Sequence, residues 1–155
     1  MSMQGLRTSV MAGLTAALFG CGAAPQLDEV PIVGRPVADP PAAQRETLDR
    51  NVADYGRDRF TVTGSRYAFV DGHDRDWQPL LAKLAKDPAI ARMQSVRLPT
   101  SPRDWQLALW RGRGNKGLLV AMLFDRTQSR ERLVGYYSVA LTADFDPPAR
   151  GNVES

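Results

Sequence analysis

Asp71-Gly72-His73-Asp74-Arg75-Asp76 is the densest run of ligand-type side chains in the sequence. A calcium loop needs carboxylates and carbonyls at defined offsets, closed by a bidentate Glu. Here the Asp residues fall at offsets of three and two, and no Glu follows before Glu131. His73 is the only histidine, and a general base needs a nucleophile or a polarised group beside it. No G-x-S-x-G or comparable nucleophile element is present. One cysteine and one histidine also exclude a disulfide framework, a Cys/His zinc site and a redox cysteine pair. The cluster therefore reads as a strand-to-helix connection in which one Asp caps a helix and the others are solvated. The sequence points to no catalytic residue, metal, cofactor or small-molecule substrate, and the chain reads as a non-enzyme.

Binding chemistry is the better prospect. Arg111, Arg113 and Lys116 crowd one glycine-rich loop, and Arg126, Arg130 and Arg132 crowd the next. Consecutive hairpin turns alternate ends of an antiparallel sheet, so the two loops cannot form one patch. With a net charge of only +3 from interspersed signs, nucleic acid is an improbable partner. Each loop could separately attract lipid phosphates or an acidic partner. Of the three tryptophans, Trp77 and Trp105 fall on apolar stripes and belong to a core. Trp110 has the opposite parity to Trp105 and shares its side with Gln106 and Ala108. Either a helix covers that side or Trp110 is exposed, and an exposed Trp beside Arg111 and Arg113 is the expected protein-interaction surface.

These residues must be positioned by one modest domain, since 155 residues at 43% hydrophobic and 24% charged suit a single globular unit with appendages. Leu48, Val52 and Tyr55 recur at helical spacing ahead of Gly56 and predict a short amphipathic helix. Along Phe60–Val70 the apolar parity switches at Gly64-Ser65. A hairpin with a two-residue Gly64-Ser65 turn is the expected arrangement, and a long strand bulged at Gly64 is the alternative. Trp77, Leu80, Leu81 and Leu84 make a second helical stripe, capped by Asp74 or Asp76. Asp87-Pro88 starts a third short helix through Met93. Ser95–Leu98 reads as a brief edge strand. A meander follows: Trp105 to Leu109 alternating, Leu118–Phe124 apolar on both faces and hence central, then Leu133–Leu141. The expected class is α+β, an antiparallel sheet of four to six strands with a C-terminal three-stranded meander and two or three short helices packed on one face.

The N-terminus is the most informative stretch. Arg7 precedes an apolar run from Thr8 to Phe19, closed by Leu18-Phe19-Gly20-Cys21. Twelve helical residues rise only about 18 Å against a hydrocarbon core of about 30 Å, so the run reads as a secretory signal rather than a span. Its ending resembles the lipobox of bacterial lipoproteins: Leu18, Gly20 and Cys21 match, whereas Phe19 stands where a small residue is commoner. The resemblance covers 21 residues and leaves the domain unassigned. It implies cleavage before Cys21 and acylation of that cysteine, which leaves no spare thiol. With Gly22 rather than Asp next, it implies an outer-membrane protein facing the periplasm. Residues 1–20 are then the signal peptide and 21–43 the acylated cysteine and a proline-rich tether, which at about 3.1 Å per residue could reach roughly 65 Å. Within it Val30-Pro31-Ile32-Val33 is an apolar island that could join a partner's sheet or fold back. Residues 44–144 are the α+β periplasmic domain and 145–155 a loose tail. The function that fits is a non-catalytic, lipid-anchored interaction or assembly module of an envelope or secretion complex, its protein partner unidentified. The alternative is a periplasmic immunity lipoprotein that inhibits an envelope-targeted toxin.

Overall fold

The computed structural model describes residues 26–71, 77–98, 105–123 and 131–142. Cys21 with its signal segment, His73 with Asp74 to Asp76, Arg126, Arg130 and the tail 145–155 lie outside the described residues. Ten elements follow in chain order, beginning with a 3-10 turn at Leu27–Glu29. The rest are β1 (Arg35–Val37), α1 (Ala42–Gly56), β2 (Phe60–Asp71), α2 (Trp77–Ala85), α3 (Pro88–Ala91), β3 (Gln94–Val96), β4 (Trp105–Arg111), β5 (Lys116–Leu123) and β6 (Glu131–Leu141). The strands form one antiparallel sheet in the order β1-β2-β6-β5-β4-β3. The α+β class and the C-terminal meander are as the hydrophobic pattern predicts. β5 lies inside the sheet between β6 and β4, as a strand apolar on both faces must.

The expected Gly64-Ser65 hairpin is wrong, and the alternative holds. Phe60 to Asp71 is one long strand against β6, with a register irregularity between Val62 and Gly64. Val62 pairs with Val139 and Gly64 with Ser138, so Thr63 is the extra residue. An inserted residue reverses the side-chain alternation, which puts Phe60, Tyr67 and Phe69 on one face without a turn.

Helices cover both faces of the sheet, not one. On the first face α1 lays Leu48 and Val52 over Phe60, Leu109, Leu119, Tyr137 and Val139. On the second, Trp77, Leu80 and Leu84 of α2 and Ile90 of α3 pack on Val120, Met122, Val134 and Tyr136. The start of α3 follows the sequence signal: Asp87 is the N-cap, its Oδ1 accepts the Ala89 N–H at 2.9 Å, and Pro88 occupies a first-turn position where no amide is needed.

The proline-rich segment is no spacer from Gln26 onward. Val30 is 4% exposed in the second-face core, with Leu27, Ile32 and Val33 packed beside it. β1 pairs with Tyr67–Phe69 of β2 at the sheet edge, where Pro36 is tolerable because an outward-facing N–H would have no ladder partner. The Val33 N–H donates to Tyr136 Oη at 3.0 Å, and that hydroxyl donates to the Val33 carbonyl at 3.1 Å. Arg66 Nη1 donates to the Leu27 carbonyl at 3.0 Å. Prolines rule out a helix or a central strand, but an extended strap satisfied by side chains needs neither.

Candidate functional site

The surface expected around Trp110 does not exist as drawn. Trp110 is 7% exposed, within the second-face core beside Leu118, Val120 and the α2 stripe. Parity does send it away from Trp105, Leu107 and Leu109, but α2 and α3 cover the side it reaches. Ala108 is small because a helix packs there. Arg111 is half-buried and has the parity of Leu109, so it belongs to the other face from Trp110. Arg113 is exposed in the connection. The three residues are therefore not brought together. Val30–Val33, the other candidate for capturing a partner, is occupied by its own domain.

The structure gathers something else at the sheet end where the β4–β5 hairpin turns. Gly114 and Asn115 have φ of 68° and 57°, the paired positive values of a type I′ turn, and Gly112 N–H donates to the Lys116 carbonyl at 2.8 Å. Leu141 N–H donates to the Asn115 carbonyl at 2.6 Å, tying the hairpin to the end of β6. Phe60 pairs with Leu141, Lys116 with Ala140 and Gln94 with Arg111, so the start of β2, the end of β6, the hairpin and the start of β3 share this end. Arg57 and Arg59, just before β2, and Arg92, just before β3, join Arg111, Arg113 and Lys116 there. Asp54 and Asp58 lie at the same end. Arg57 pairs with Asp54 at 3.0 Å, and Arg59 lies over the Tyr55 ring with its centroid 4.7 Å away. Arg92, Arg113 and Lys116 are exposed and pair with no described carboxylate. Sequence spacing could not show this, because residues 57, 92 and 113 meet only once the strand order is known.

The polar group on the first face fastens helix to sheet. Asp49 Oδ1 on α1 accepts hydrogen bonds from Tyr67 Oη at 2.6 Å and Tyr137 Oη at 2.9 Å. Burial raises the Tyr137 phenol well above its ordinary range, and the neighbouring Asp49 carboxylate raises it further. Tyr67 is raised by the same two causes in the same order. A tyrosine base or nucleophile needs the opposite shift. These phenols stay protonated as donors that pin α1 to β2 and β6. Gly135 serves the same cluster: a Cβ there would stand 2.5 Å from the Tyr137 ring, which lies across the backbone.

Of the second basic loop, Arg132 is not a solvated turn residue. It sits inside β6, 7% exposed, with the parity of Val134 and Tyr136. Among the described residues no group of three His, Cys, Asp or Glu side chains could hold a metal, and no helix is long and apolar enough to cross a membrane. The chain matches no protein-family model, no curated protein and no solved structure. Any functional reading therefore rests on the residues themselves.

Proposed function

We propose that this chain is a lipid-anchored protein of the periplasmic face of the outer membrane, whose α+β domain is a non-catalytic interaction or assembly module of an envelope complex. The observation that carries the reading is Leu18-Phe19-Gly20-Cys21, which puts the only cysteine at the lipobox position behind an apolar run of signal length. Two or three acyl chains on one cysteine anchor stably where a single chain is marginal. The domain supports the reading by its economy: both sheet faces are filled, and the polar cluster on the first face is built to hold helix to sheet.

Incorporation of radiolabelled palmitate tests the anchor. Wild type should take up label in the envelope fraction and Cys21→Ser should take up none. Equal label in both, or a mature chain that still begins at Met1, overturns it. A pull-down from detergent-solubilised envelopes tests the module, which requires a stoichiometric co-purifying protein.

A further inference from the structure

From the docked strap and the basic end together, we infer that the end of the sheet bearing the β4–β5 hairpin rests on the anionic headgroups of the membrane that holds the anchor, with Arg113, Lys116 and Arg92 as its contacts. The inference builds on acylation at Cys21 and adds an orientation to it.

The number of residues between Cys21 and the strap is the first step. If the whole proline-rich segment were a spacer, the domain could stand far from the bilayer. The strap is bound to the sheet from Leu27, so only the five steps from Cys21 to Gln26 separate the anchor from the folded unit. Five residues span at most about 18 Å when fully extended. That is about two Debye lengths at physiological salt, where attraction is largely screened, so the charges act on contact, and a leash this short keeps contact within reach.

Which side is near follows from the register. Read backwards, the strap passes the level of Tyr136 at Val33 and reaches Gly64 and Ser138 at Leu27, where a Gly64 Cβ would stand 3.1 Å from Leu27 Cδ1. It therefore runs towards the hairpin end. Ser138 pairs with Leu118, two residues from Lys116 on the same face of β5. Two strand spacings across and two residues along put the Lys116 backbone about 12 Å from that of Gly64. The described chain thus begins, at Gln26, on the side of the basic hairpin. Across this end Arg92, Arg113 and Lys116 are exposed and pair with no described carboxylate, over strand ends roughly 15–20 Å wide. The acidic side chains on the strap, Asp28 and Glu29, are partly offset by Arg66, whose Nη1 lies 3.7 Å from Asp28. Guanidinium and ammonium groups on a rigid type I′ hairpin are suited to phosphate oxygens, and the tether supplies their proximity.

The test uses the full chain with Cys21→Ser, which cannot be acylated, so its outcome is independent of whether Cys21 is lipidated. Partition is measured into phosphatidylcholine vesicles and into the same vesicles with 30 mol% phosphatidylglycerol. The ratio of the two coefficients cancels whatever the apolar N-terminal run contributes. Each basic side chain near an anionic surface is worth about fivefold. The ratio should therefore fall about fivefold in Lys116→Ser and about 25-fold in Arg113→Ser/Lys116→Ser, and 0.5 M salt should abolish it. Arg50→Ser, the same charge change on exposed α1 across the sheet, should leave the ratio within twofold. Arg92→Ser serves if the hairpin variants melt early. A ratio near one in the parent chain, or an Arg50→Ser effect equal to that of the hairpin variants, overturns the proposal.

Discussion

Replacing Tyr136 by phenylalanine should release the N-terminal strap without unfolding the domain. The substitution keeps the ring, which is fully buried in the second-face core, and deletes a single oxygen. That oxygen makes two bonds, accepting from the Val33 N–H at 3.0 Å and donating to the Val33 carbonyl at 3.1 Å. Each bond is worth about 1 kcal/mol net, and the part-buried Val33 N–H and C=O lose their partner together, so the strap loses about 2 kcal/mol of docking free energy. That raises its open fraction roughly 30-fold. The β2–β6 ladder beneath runs through backbone groups that the substitution does not touch. Native-state hydrogen exchange separates the two levels. Amides of β1 should exchange about 30-fold faster, while those of β5 change less than twofold. Equal acceleration in both strands would mean that the strap opens only with global unfolding. No change in β1 would mean that Tyr136 does not hold it.

Trp110→Ala should lower the melting temperature by roughly 10–20 °C, because truncating a buried Trp costs about 3–5 kcal/mol in a domain of this size; a shift below about 3 °C in a thermal melt would return Trp110 to the surface. Alkaline unfolding should begin near pH 10. Burial pushes the Tyr136 phenol up to about 12 and raises Tyr137 further, whereas the unfolded chain ionises near 10. Between pH 10 and 12 the folded state keeps protons that the unfolded state has lost, so stability is full below pH 10 and falls by about 1.4 kcal/mol per pH unit for each buried phenol. Tyr67 is raised as well, so denaturant melts at stepped pH should show a slope that falls by about a third in Tyr136→Phe. A flat profile to pH 12 would mean that none of these phenols is sequestered.

The elements legible in the sequence are those whose signals are local. The Leu48-Val52-Tyr55 spacing, the Trp77–Leu84 stripe, the Asp87-Pro88 start and the unbroken apolar run of β5 each depend on neighbours within a turn or a strand. The misreadings concern long-range partners. A two-residue turn and a one-residue bulge both reverse parity at Gly64, and what separates them is whether β6 is long enough to pair with all of β2. Gln106 and Ala108 read as a wet face until α2 is placed over them. Five prolines between Gly22 and Ala43 describe what the strap cannot form, not what it lies on. Arg132 reads as part of a basic turn because β6 begins earlier than its apolar run does. The proposed anchor rests on a different kind of signal, a motif that a processing enzyme rather than the fold would read.

Docking of the strap also changes what an anchored domain of this kind can reach. A roughly 65 Å spacer would let it search a large volume and meet partners deep in the periplasm. If Cys21 is acylated, a leash of at most about 18 Å, joined to one edge of a sheet filled on both faces, would confine it to a partner at the membrane surface. The faces are closed by α1 on one side and by α2, α3 and the strap on the other. For an interaction module, that leaves the sheet ends and β3, the short edge strand away from the strap. If the hairpin end rests on headgroups, a protein partner must approach the opposite end or β3. Ser95, exposed and paired with Trp110, lies at the middle of that edge. A strand added there by a partner would extend the ladder next to β4 without disturbing either core. Proline at position 95 removes one backbone donor from an edge strand and leaves the buried layers intact. It should therefore weaken capture by a strand-adding partner, while lowering the melting temperature far less than Trp110→Ala does.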